Sequence, residues 1–385
     1  MANYFSSNFT LGILGGGQLG KMMGYETRKY DIKTHVLDPS AEAPFRIGCD
    51  HFQQGDLMDY DTVYTFGKKV DVLTFEIEGV NVEALEALEK EGKKVYPSAK
   101  TLRNIQDKGI QKQFYKKHQI PTAPFLVFKD KFDLTEAIVR KDVTLPFVWK
   151  SCTGGYDGKG VAVIRTEEDM IPLAEGACIA EKLVPFKNEL AVIVARSVSG
   201  EVKTYPVVEM EFHPEANQVE YVICPARIDE AVSAKARSVA SKVSEAFEHV
   251  GLLAVELFQT EDDEIIVNEV APRPHNSGHY SIEASYTNQF EQHIRAILDL
   301  PLGNTDSKVG GIMVNLVGAE GYTGDVVYKN IEQIMSMEGV TPHIYGKKQT
   351  RPFRKMGHVT IVNKDLAKAR MIAAEVKKSI KVISN

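Results

Sequence analysis

The segment LLAVELFQTEDDEIIVNEVAPRPHNSGH, residues 252–279, decides the fold. Two apolar runs flank an acidic turn, which predicts a β-hairpin. With a two-residue loop at Asp262 and Asp263, Glu256 and Glu269 lie directly opposite each other on one face. Opposed like charges destabilise a strand pair, and a hard cation between them removes that conflict. Since magnesium prefers carboxylate and phosphate oxygens, the hairpin predicts a magnesium site. The alternative is a pair of solvated acids on an exposed sheet face.

A polar loop follows this hairpin. Residues 271–281, APRPHNSGHYS, include two prolines that favour an extended backbone. Several side chains of the loop can donate hydrogen bonds, namely Arg273, His275, Asn276, Ser277 and His279. So many donors in a non-regular stretch predict a binding loop for a small anion or a polar substrate. A polar surface loop without a ligand is the alternative.

A second motif is rich in glycine. In FVWKSCTGGYDGKGVAVIR, residues 147–165, a strand ends at Lys150, a glycine-rich loop follows, and another strand begins at Val161. Glycines allow backbone N–H groups to wrap around an anion, and Lys150 and Lys159 would add charge for a triphosphate. The loop is not a Walker A motif, because no G-K-[ST] sequence opens a helix. A hairpin turn without a ligand is the alternative.

The segment IAEKLVPFKNELAV, residues 179–192, predicts two strands joined by a proline turn. A strand edge flanked by the apolar Leu183 and Val184 can seat a purine, while Glu189 could accept hydrogen bonds from ribose hydroxyls. Edge strands that carry glutamates, such as Glu181, also occur in many other proteins.

Near the N-terminus, LGILGGGQLG, residues 11–20, places glycines after a short strand in the dinucleotide pattern G-x-G-x-x-G. Asp38 follows about 20 residues later, where a ribose-binding acid belongs in such a fold. Taken alone, the pattern supports a dinucleotide-dependent oxidoreductase. The alternative is the tight strand-to-helix turn of any α/β domain.

A basic cluster marks the C-terminal part of the chain. The sequence YGKKQTRPFRKMGHVTI, residues 345–361, ends in an apolar strand. Its basic residues are Lys347, Lys348, Arg351, Arg354 and Lys355. In an acidic protein this cluster predicts a phosphate pocket, and a solvated edge is the alternative.

Composition limits the class of protein. The 385 residues contain 46 Lys and Arg against 52 Asp and Glu, a formal net charge of -6. We therefore expect neither nucleic acid nor an anionic membrane as a partner. No apolar run approaches the roughly 20 residues that span a bilayer, and the N-terminus lacks the pattern of a signal peptide. The scattered cysteines, without a C-x-x-C pair, predict reduced thiols in a cytoplasmic protein.

The motifs ILGGGQLG, TFEIEGV, GGYDGKG, NEVAPRPHNSGH and KMGHV together resemble the ATP-grasp superfamily. Within it the chain resembles the 5-(carboxyamino)imidazole ribonucleotide synthase family, PurK, from about residue 9 to 360. The resemblance implies a mixed α/β and α+β architecture: a Rossmann-like N-terminal domain, a two-lobed ATP-grasp core with a lid lobe, and a small C-terminal α+β domain. We place these domains at 1–97, 98–296 (lid lobe about 121–187) and 297–385.

The resemblance also implies an activity. An enzyme of this family carboxylates the amine of 5-aminoimidazole ribonucleotide with ATP, magnesium and bicarbonate in purine biosynthesis. Bicarbonate attacks the γ-phosphoryl group to give carboxyphosphate, and the amine captures the activated carbon. The resemblance further implies a homodimer.

Site residues carried over from the family fall into four groups. The implied ATP-binding residues are Lys108, Lys150, Gly154, Gly155, Tyr156, Asp157, Gly158, Lys159, Gly160, Glu181, Lys182, Leu183, Val184, Glu189, His213, Asn268 and Glu269. The implied magnesium ligands are Glu256 and Glu269. The implied ribonucleotide-binding residues are Gln18, Glu76, Tyr156, Asp157, Arg273, His275, Lys347, Arg354 and Lys355. The implied catalytic residues are Arg273, His275, Asn276, Lys355 and Asp157, the last of which would orient or deprotonate the amine.

Two points stay open within this carry-over. The family often has arginine at the position of Lys108, and lysine retains the charge but loses the bidentate fork. The sequence RPFRKMGH also leaves open which of Arg351, Arg354 and Lys347 binds the nucleotide phosphate.

Three other functions compete with this hypothesis. Another ATP-grasp ligase, such as a formate-dependent glycinamide ribonucleotide transformylase or a biotin carboxylase-like enzyme, would share the nucleotide residues but not PRPHNSGH with the basic tail. A dinucleotide oxidoreductase rests on residues 12–38 alone. A catalytically silent nucleotide-binding regulator would have lost metal or acceptor residues, whereas both predicted metal ligands are present.

Overall fold

The computed structural model describes residues 4–155, 160–213 and 218–385, which form four β-sheets with helices packed against them. The predicted site residues Tyr156, Asp157, Gly158 and Lys159 lie outside the described residues. Among the helices of this described part, none combines the length and apolar character needed to cross a bilayer.

The N-terminal part forms a parallel sheet with crossover helices, as expected of the Rossmann-like domain that the resemblance implies. The strand order is β3-β2-β1-β4-β5. The strands are β1 (Thr10–Leu14), β2 (Lys33–Asp38), β3 (His51–Gln54), β4 (Val72–Phe75) and β5 (Lys94–Val95). The helices are α1 (Gln18–Lys29), α2 (Tyr60–Lys68) and α3 (Val82–Lys90). The central strands are apolar on both faces because helices cover both sides of a parallel sheet.

The polar segment after Ser98 forms two consecutive helices. They are α4 (Ala99–Gln106) and α5 (Lys108–Lys117). The break falls at Asp107, whose extended backbone ends α4 and whose carboxylate accepts a 2.9 Å hydrogen bond from the backbone N–H of Ile110. An aspartate at this position satisfies a backbone donor that the first turn of a helix leaves free. Asp107 therefore sets where α5 begins, and with it the position of Lys108.

A small antiparallel sheet lies within the predicted lid lobe, in the order β6-β9-β7-β8. Its elements are β6 (Phe125–Phe128), α6 (Lys131–Val139), β7 (Phe147–Ser151), β8 (Val161–Ile164) and β9 (Cys178–Lys182). The alternate residues Phe147 and Trp149 pack against Leu134 and Ala137 of α6. Lys150 and Glu181 therefore project from the opposite face of this sheet.

The large antiparallel sheet holds the centre of the molecule. Its order is β15-β14-β10-β12-β13-β16-β20-β18, with β11 paired to β10. Its strands are β10 (Phe186–Arg196), β11 (Val202–Thr204), β12 (Val208–Phe212), β13 (Val219–Cys224), β14 (Gly251–Thr260), β15 (Ile265–Ala271), β16 (Gly310–Val317), β18 (Val340–Ile344) and β20 (Lys355–Asn363). Since strands on both sides of residue 297 share this sheet, the C-terminal part is continuous with the core. The predicted domain boundaries stay predictions.

The remaining elements pack around this sheet. They are α7 (Glu230–Phe247), α8 (Ser281–Ala284), α9 (Gln289–Ile297), α10 (Ile331–Met335), α11 (Leu366–Ser379) and a three-stranded sheet of β17 (Gly324–Lys329), β19 (Gln349–Thr350) and β21 (Lys381–Ser384). Leu253, Val255 and Leu257 of β14 face α7 in the main core. Glu256 alternates with them and so projects from the other face of the sheet.

The N-terminal glycine loop is bonded to carboxylates of the protein itself. Glu76, directly after β4, accepts hydrogen bonds from the backbone N–H groups of Gly17 (2.5 Å) and Gly20 (2.9 Å). Asp38 accepts a 2.7 Å bond from the N–H of Gly16. In a dinucleotide-binding domain these donors at the helix N-terminus would face the pyrophosphate. The geometry therefore counts against the oxidoreductase hypothesis.

We predict that Gly17→Ala destabilises the protein by about 1–3 kcal/mol. A Cβ atom at this position would lie 2.5 Å from Oε1 of Glu76. The φ of Gly17 is -73°, so alanine causes no backbone strain there. In a Glu76→Ala background the obstructing carboxyl is gone, and the effect of Gly17→Ala should shrink. Thermal unfolding of the four proteins of this double-mutant cycle measures the coupling.

Gly16→Ala is the matched control. Its Cβ would lie nearest to Val36, Ala43 and Asp38, at 3.0, 3.2 and 3.3 Å, rather than to Glu76, so its effect should be the same in both backgrounds. An effect of Gly17→Ala that Glu76→Ala leaves unaltered would contradict this account of the loop.

Candidate active site

The hairpin of β14 and β15 places Glu256 directly opposite Glu269, as the sequence predicts. The predicted two-residue loop is wrong. Thr260 donates a 2.9 Å hydrogen bond to the carbonyl of Glu264, which leaves three loop residues, and Asp263 adopts a φ of 60° there. A β-bulge at Asn268 then restores the predicted pairing, because it adds one residue on β15 before Glu269.

The bulge also directs Asn268 into the cleft between the two sheets. Its Oδ1 accepts a 2.8 Å hydrogen bond from Nζ of Lys150, which lies 118 residues earlier on β7. The adjacent Glu269 forms an ion pair with Lys108 at the start of α5. Two consecutive residues of β15 thus contact both lysines that were predicted to bind ATP phosphates.

The two opposed glutamates differ in their pKa shifts. Burial, the charge of Glu269 and the charge of Glu189 raise the pKa of Glu256. The nearby ammonium of Lys108 lowers the pKa of Glu269, although loss of solvent contact opposes this shift. A proton on this pair therefore favours Glu256 over Glu269, which relieves the repulsion between them. His275 contacts the same group, with Nε2 3.6 Å from Oε1 of Glu256.

Glu189 extends the acidic surface along the sheet. It lies on β10 opposite Phe258 of β14, and Phe258 is two residues from Glu256. Antiparallel partners and alternate residues share a face, so both glutamates project into the same cleft. Burial raises the pKa of Glu189 to about 7. Its predicted contact with ribose stays a prediction.

Lys112 joins this cluster, and the sequence analysis did not identify it. It lies one helical turn after Lys108 on α5, and its side chain is 2% exposed. Its Nζ lies 2.8 Å from Oε1 of Glu181, while Nζ of Lys150 lies 2.9 Å from Oε2 of the same carboxylate. Burial lowers the pKa of Lys112 to about 8, against the attraction of Glu181. The i, i+4 spacing of two lysines on one helix could have revealed it.

The loop of residues 273–279 is held by side chains from other elements. Gln289 of α9 accepts a 2.8 Å hydrogen bond from the N–H of His275 and donates a 2.9 Å bond to its carbonyl. Asn276 exchanges two 2.9 Å bonds with Asn315 of β16. Arg273 pairs through Nε with Glu78, 2.9 Å away. Gln289 and Asn315 carry no local motif, so the sequence analysis missed them.

Ser277 and His279 of the same loop are buried rather than presented to a ligand. The side-chain amide of Gln289 lies 2.8 Å from Nδ1 of His279. Burial keeps the pKa of His279 well below its ordinary value, so the imidazole is neutral. These two residues support the loop, whereas Arg273, His275 and Asn276 remain its candidate ligand contacts.

The basic tail, residues 345–361, lies close to α1 and so to the N-terminal glycine loop. Lys21, on the same face of α1 as Gln18, donates a 3.0 Å hydrogen bond to the carbonyl of Ile344. Lys347 bonds the carbonyl of Lys355 at 2.8 Å, and Arg354 bonds that of Gln349 at 2.5 Å. The contact of Lys21 thus places the segment before Lys347 next to the helix that begins at Gln18.

The described glycines of the predicted ATP loop lie between two strands of the lid sheet, β7 and β8. Gly154 and Gly160 have φ values of 77° and 75°, which glycine adopts readily, and the carbonyl of Gly160 accepts a 2.9 Å bond from the backbone N–H of Ser151. His213 directly follows β12 of the large sheet, with its ring 6.0 Å from that of Phe353. At the end of β9, four predicted residues continue from the lid towards the large sheet: Glu181, Lys182, Leu183 and Val184.

Comparison with known protein families divides the chain into three matches. Residues 9–106 match a ribonucleotide synthetase preATP-grasp domain. Residues 113–290 match an ATP-grasp domain. Residues 311–371 match a phosphoribosylaminoimidazole carboxylase C-terminal domain.

Individual proteins resemble the chain over nearly its whole length. An N5-carboxyaminoimidazole ribonucleotide synthase of Bacillus subtilis is 39% identical over 357 residues, which are 91% of each chain. The structure of such a synthetase from Thermotoga maritima has 44% identity and a TM-score of 0.90, over 98% of this chain and 100% of that one. A synthase from Aspergillus clavatus, solved with ADP and 5-aminoimidazole ribonucleotide, has 32% identity and a TM-score of 0.87, over 96% and 98%. The chain therefore belongs to the N5-carboxyaminoimidazole ribonucleotide synthase (PurK) family of ATP-grasp proteins.

Proposed function

We propose that this protein carboxylates the amine of 5-aminoimidazole ribonucleotide with ATP and bicarbonate, releasing ADP and phosphate. The observation that carries the proposal is the cluster in the cleft. Two opposed carboxylates, Glu256 and Glu269, face two lysines from α5 and the lid sheet, Lys108 and Lys150, beside the polar loop of residues 273–279. This arrangement suits the transfer of a phosphoryl group to a small anion.

In this proposal the nucleotide lies between the two sheets. The Aspergillus clavatus relative was solved with ADP bound, which supports binding of an adenine nucleotide here. Lys108 and Lys150 would contact phosphates, and the loop of residues 154–160 would close over them. The adenine would lie against residues 181–184, with Glu189 near the ribose and His213 near the nucleotide.

Magnesium fits the donor set of the cleft. Among the described residues no group of three or more His, Cys, Asp and Glu side chains forms a metal site. Magnesium, however, usually takes one or two carboxylates and completes its shell with waters and phosphate oxygens. Glu256 and Glu269 would hold it, with Asn268 beside them. The ion would offset negative charge on the phosphates and on the transferring group.

The protein's own groups would organise the attack by bicarbonate. Arg273 is oriented by its ion pair with Glu78, and His275 by the two bonds between its backbone and Gln289. With Asn276 and Lys355 they would hold bicarbonate in line with the γ-phosphoryl group. Carboxyphosphate would then carboxylate the exocyclic amine, which Asp157 would orient or deprotonate. Water must be excluded because it would destroy the intermediate.

The ribonucleotide would lie between α1 and the basic tail. Gln18, Lys347 and Arg354 are the candidate contacts, together with Glu76, although Glu76 already accepts two backbone hydrogen bonds. Arg351 is exposed, while Arg354 is partly buried and donates a hydrogen bond to the carbonyl of Gln349. Both arginines therefore stay candidates for binding the phosphate of the ribonucleotide. The homodimer and the cytoplasmic location remain predictions.

The first test concerns the substrates. We expect ADP formation to require both bicarbonate and 5-aminoimidazole ribonucleotide, because the acceptor completes the site. A coupled assay of ADP release with each substrate omitted in turn measures this requirement. Release of ADP at the same rate without the ribonucleotide would contradict the proposed function.

The second test concerns the acidic pair. Glu269→Gln should lower turnover by at least about a hundred-fold, since a ligand to the phosphate-bound cation and the partner of Lys108 are lost together. Glu264→Gln is the matched control, because Glu264 lies in the same hairpin but is exposed. It should retain full activity. Circular dichroism and thermal melting check that both variants fold; a folded Glu269→Gln enzyme with normal activity would remove the metal assignment.

A further inference from the structure

Lys112 is a buried cation for which the proposed reaction assigns no task. We propose that Lys112 is a positioning residue that keeps Lys150 available to the nucleotide phosphates by balancing the charge of Glu181. This inference rests on the proposed placement of ATP in the cleft. In this inference Lys112 acts on the nucleotide indirectly, through Glu181 and Lys150.

Geometry separates Lys112 from the lysines that face the cleft. Its Nζ donates a 2.6 Å hydrogen bond to Oγ1 of Thr122, and Thr122 donates a 2.8 Å bond to the carbonyl of Val267 on β15. Its ammonium also lies 5.7 Å from the ring centre of Tyr115, which is fully buried. Lys112 is therefore enclosed between α5, the lid sheet and β15, and a phosphate has no direct access to it.

Glu181 connects Lys112 to Lys150. Its carboxylate lies between the two ammonium groups, one on each oxygen, and only 5% of its side chain is exposed. A buried carboxylate with a single cation would hold that cation strongly, because little water screens the attraction. Since Lys112 shares this carboxylate, Glu181 neutralises the charge of Lys150 only in part. The ammonium of Lys150 can then still attract another anion, such as a phosphate.

The other charged groups of the cleft are consistent with Glu181 being shared between Lys112 and Lys150. Lys108 is already paired with Glu269, and Asn268, the other partner of Lys150, is neutral. Glu189 and Glu256 face the same cleft from β10 and β14. Among the ion-paired groups alone, Lys108, Lys150, Glu181 and Glu269 sum to no net charge. Lys112 adds one positive charge to this ion-paired set.

Binding of ADP to the full chain, measured by titration calorimetry, tests the inference. Lys112→Met removes the charge but retains an unbranched side chain, and we expect about ten-fold weaker binding. In a Glu181→Gln background, Lys112→Met should weaken ADP binding by less than about three-fold relative to Glu181→Gln alone, because the carboxylate that links the two lysines is gone. Lys112→Met should leave the affinity for adenosine, which lacks phosphates, unaltered in either background.

Lys116→Met is the matched control, because Lys116 lies one turn further along α5 and is exposed. It should leave ADP binding unaltered. A purely structural role of Lys112 predicts instead that Lys112→Met weakens ADP binding equally in the two backgrounds, or that adenosine loses affinity in parallel. Either result would overturn the inference.

A further variant keeps the inference testable if Lys112→Met does not fold. Lys112→Arg retains the charge and should bind ADP within about three-fold of the wild type. Much weaker binding by a folded Lys112→Arg protein would count against the inference. Because ADP binding does not depend on the acceptor, a wild type that lacks the proposed carboxylation would refute that function and leave these results interpretable.

Discussion

The repulsion between Glu256 and Glu269 in the cleft is the interaction on which the site depends. Two carboxylates at directly paired positions would destabilise the hairpin unless other groups relieved their charge. Two kinds of relief are present: the raised pKa of Glu256 favours a proton there, and the ammonium of Lys108 pairs with Glu269. The start of α5 is thus tied to this one pair of residues.

The same principle arranges the rest of the cleft. Each buried carboxylate has a cation or a proton, and each buried lysine has a carboxylate, since an unpaired buried charge is strongly unfavourable. Lys150 reaches across from the lid sheet to both Glu181 and Asn268, so it links the lid to the hairpin. A phosphate that enters must compete for these lysines, and the balance of charges around them sets how readily it does so.

Local patterns in the sequence predicted the fold class and the opposed glutamates, and the comparisons confirm the family. These patterns could not predict how the strand register leads to that pairing of the glutamates. The three-residue loop and the bulge at Asn268 each shift the register by one residue, and the two errors offset each other. Lys112, Gln289 and Asn315 were missed because their partners are distant in sequence; Asn315, for example, lies 39 residues from Asn276. The N-terminal glycine loop fits a dinucleotide pattern. However, the backbone N–H of Gly17 donates its hydrogen bond to the carboxylate of Glu76, which lies 59 residues away.

The continuity of the large sheet explains why a C-terminal segment reaches the cleft at all. Successive pairings run from Glu256 through β10, β12 and β13 to β16, and they place Asn315 on the same face as Glu256. Asn315 then holds Asn276 of the loop, and β20, its neighbour in the sheet, begins at Lys355. Because antiparallel strands maintain a common face over many pairs, residues more than fifty positions apart lie on one side of the sheet. The sheet therefore acts as the frame that brings the acidic pair, the polar loop and the basic tail into one site.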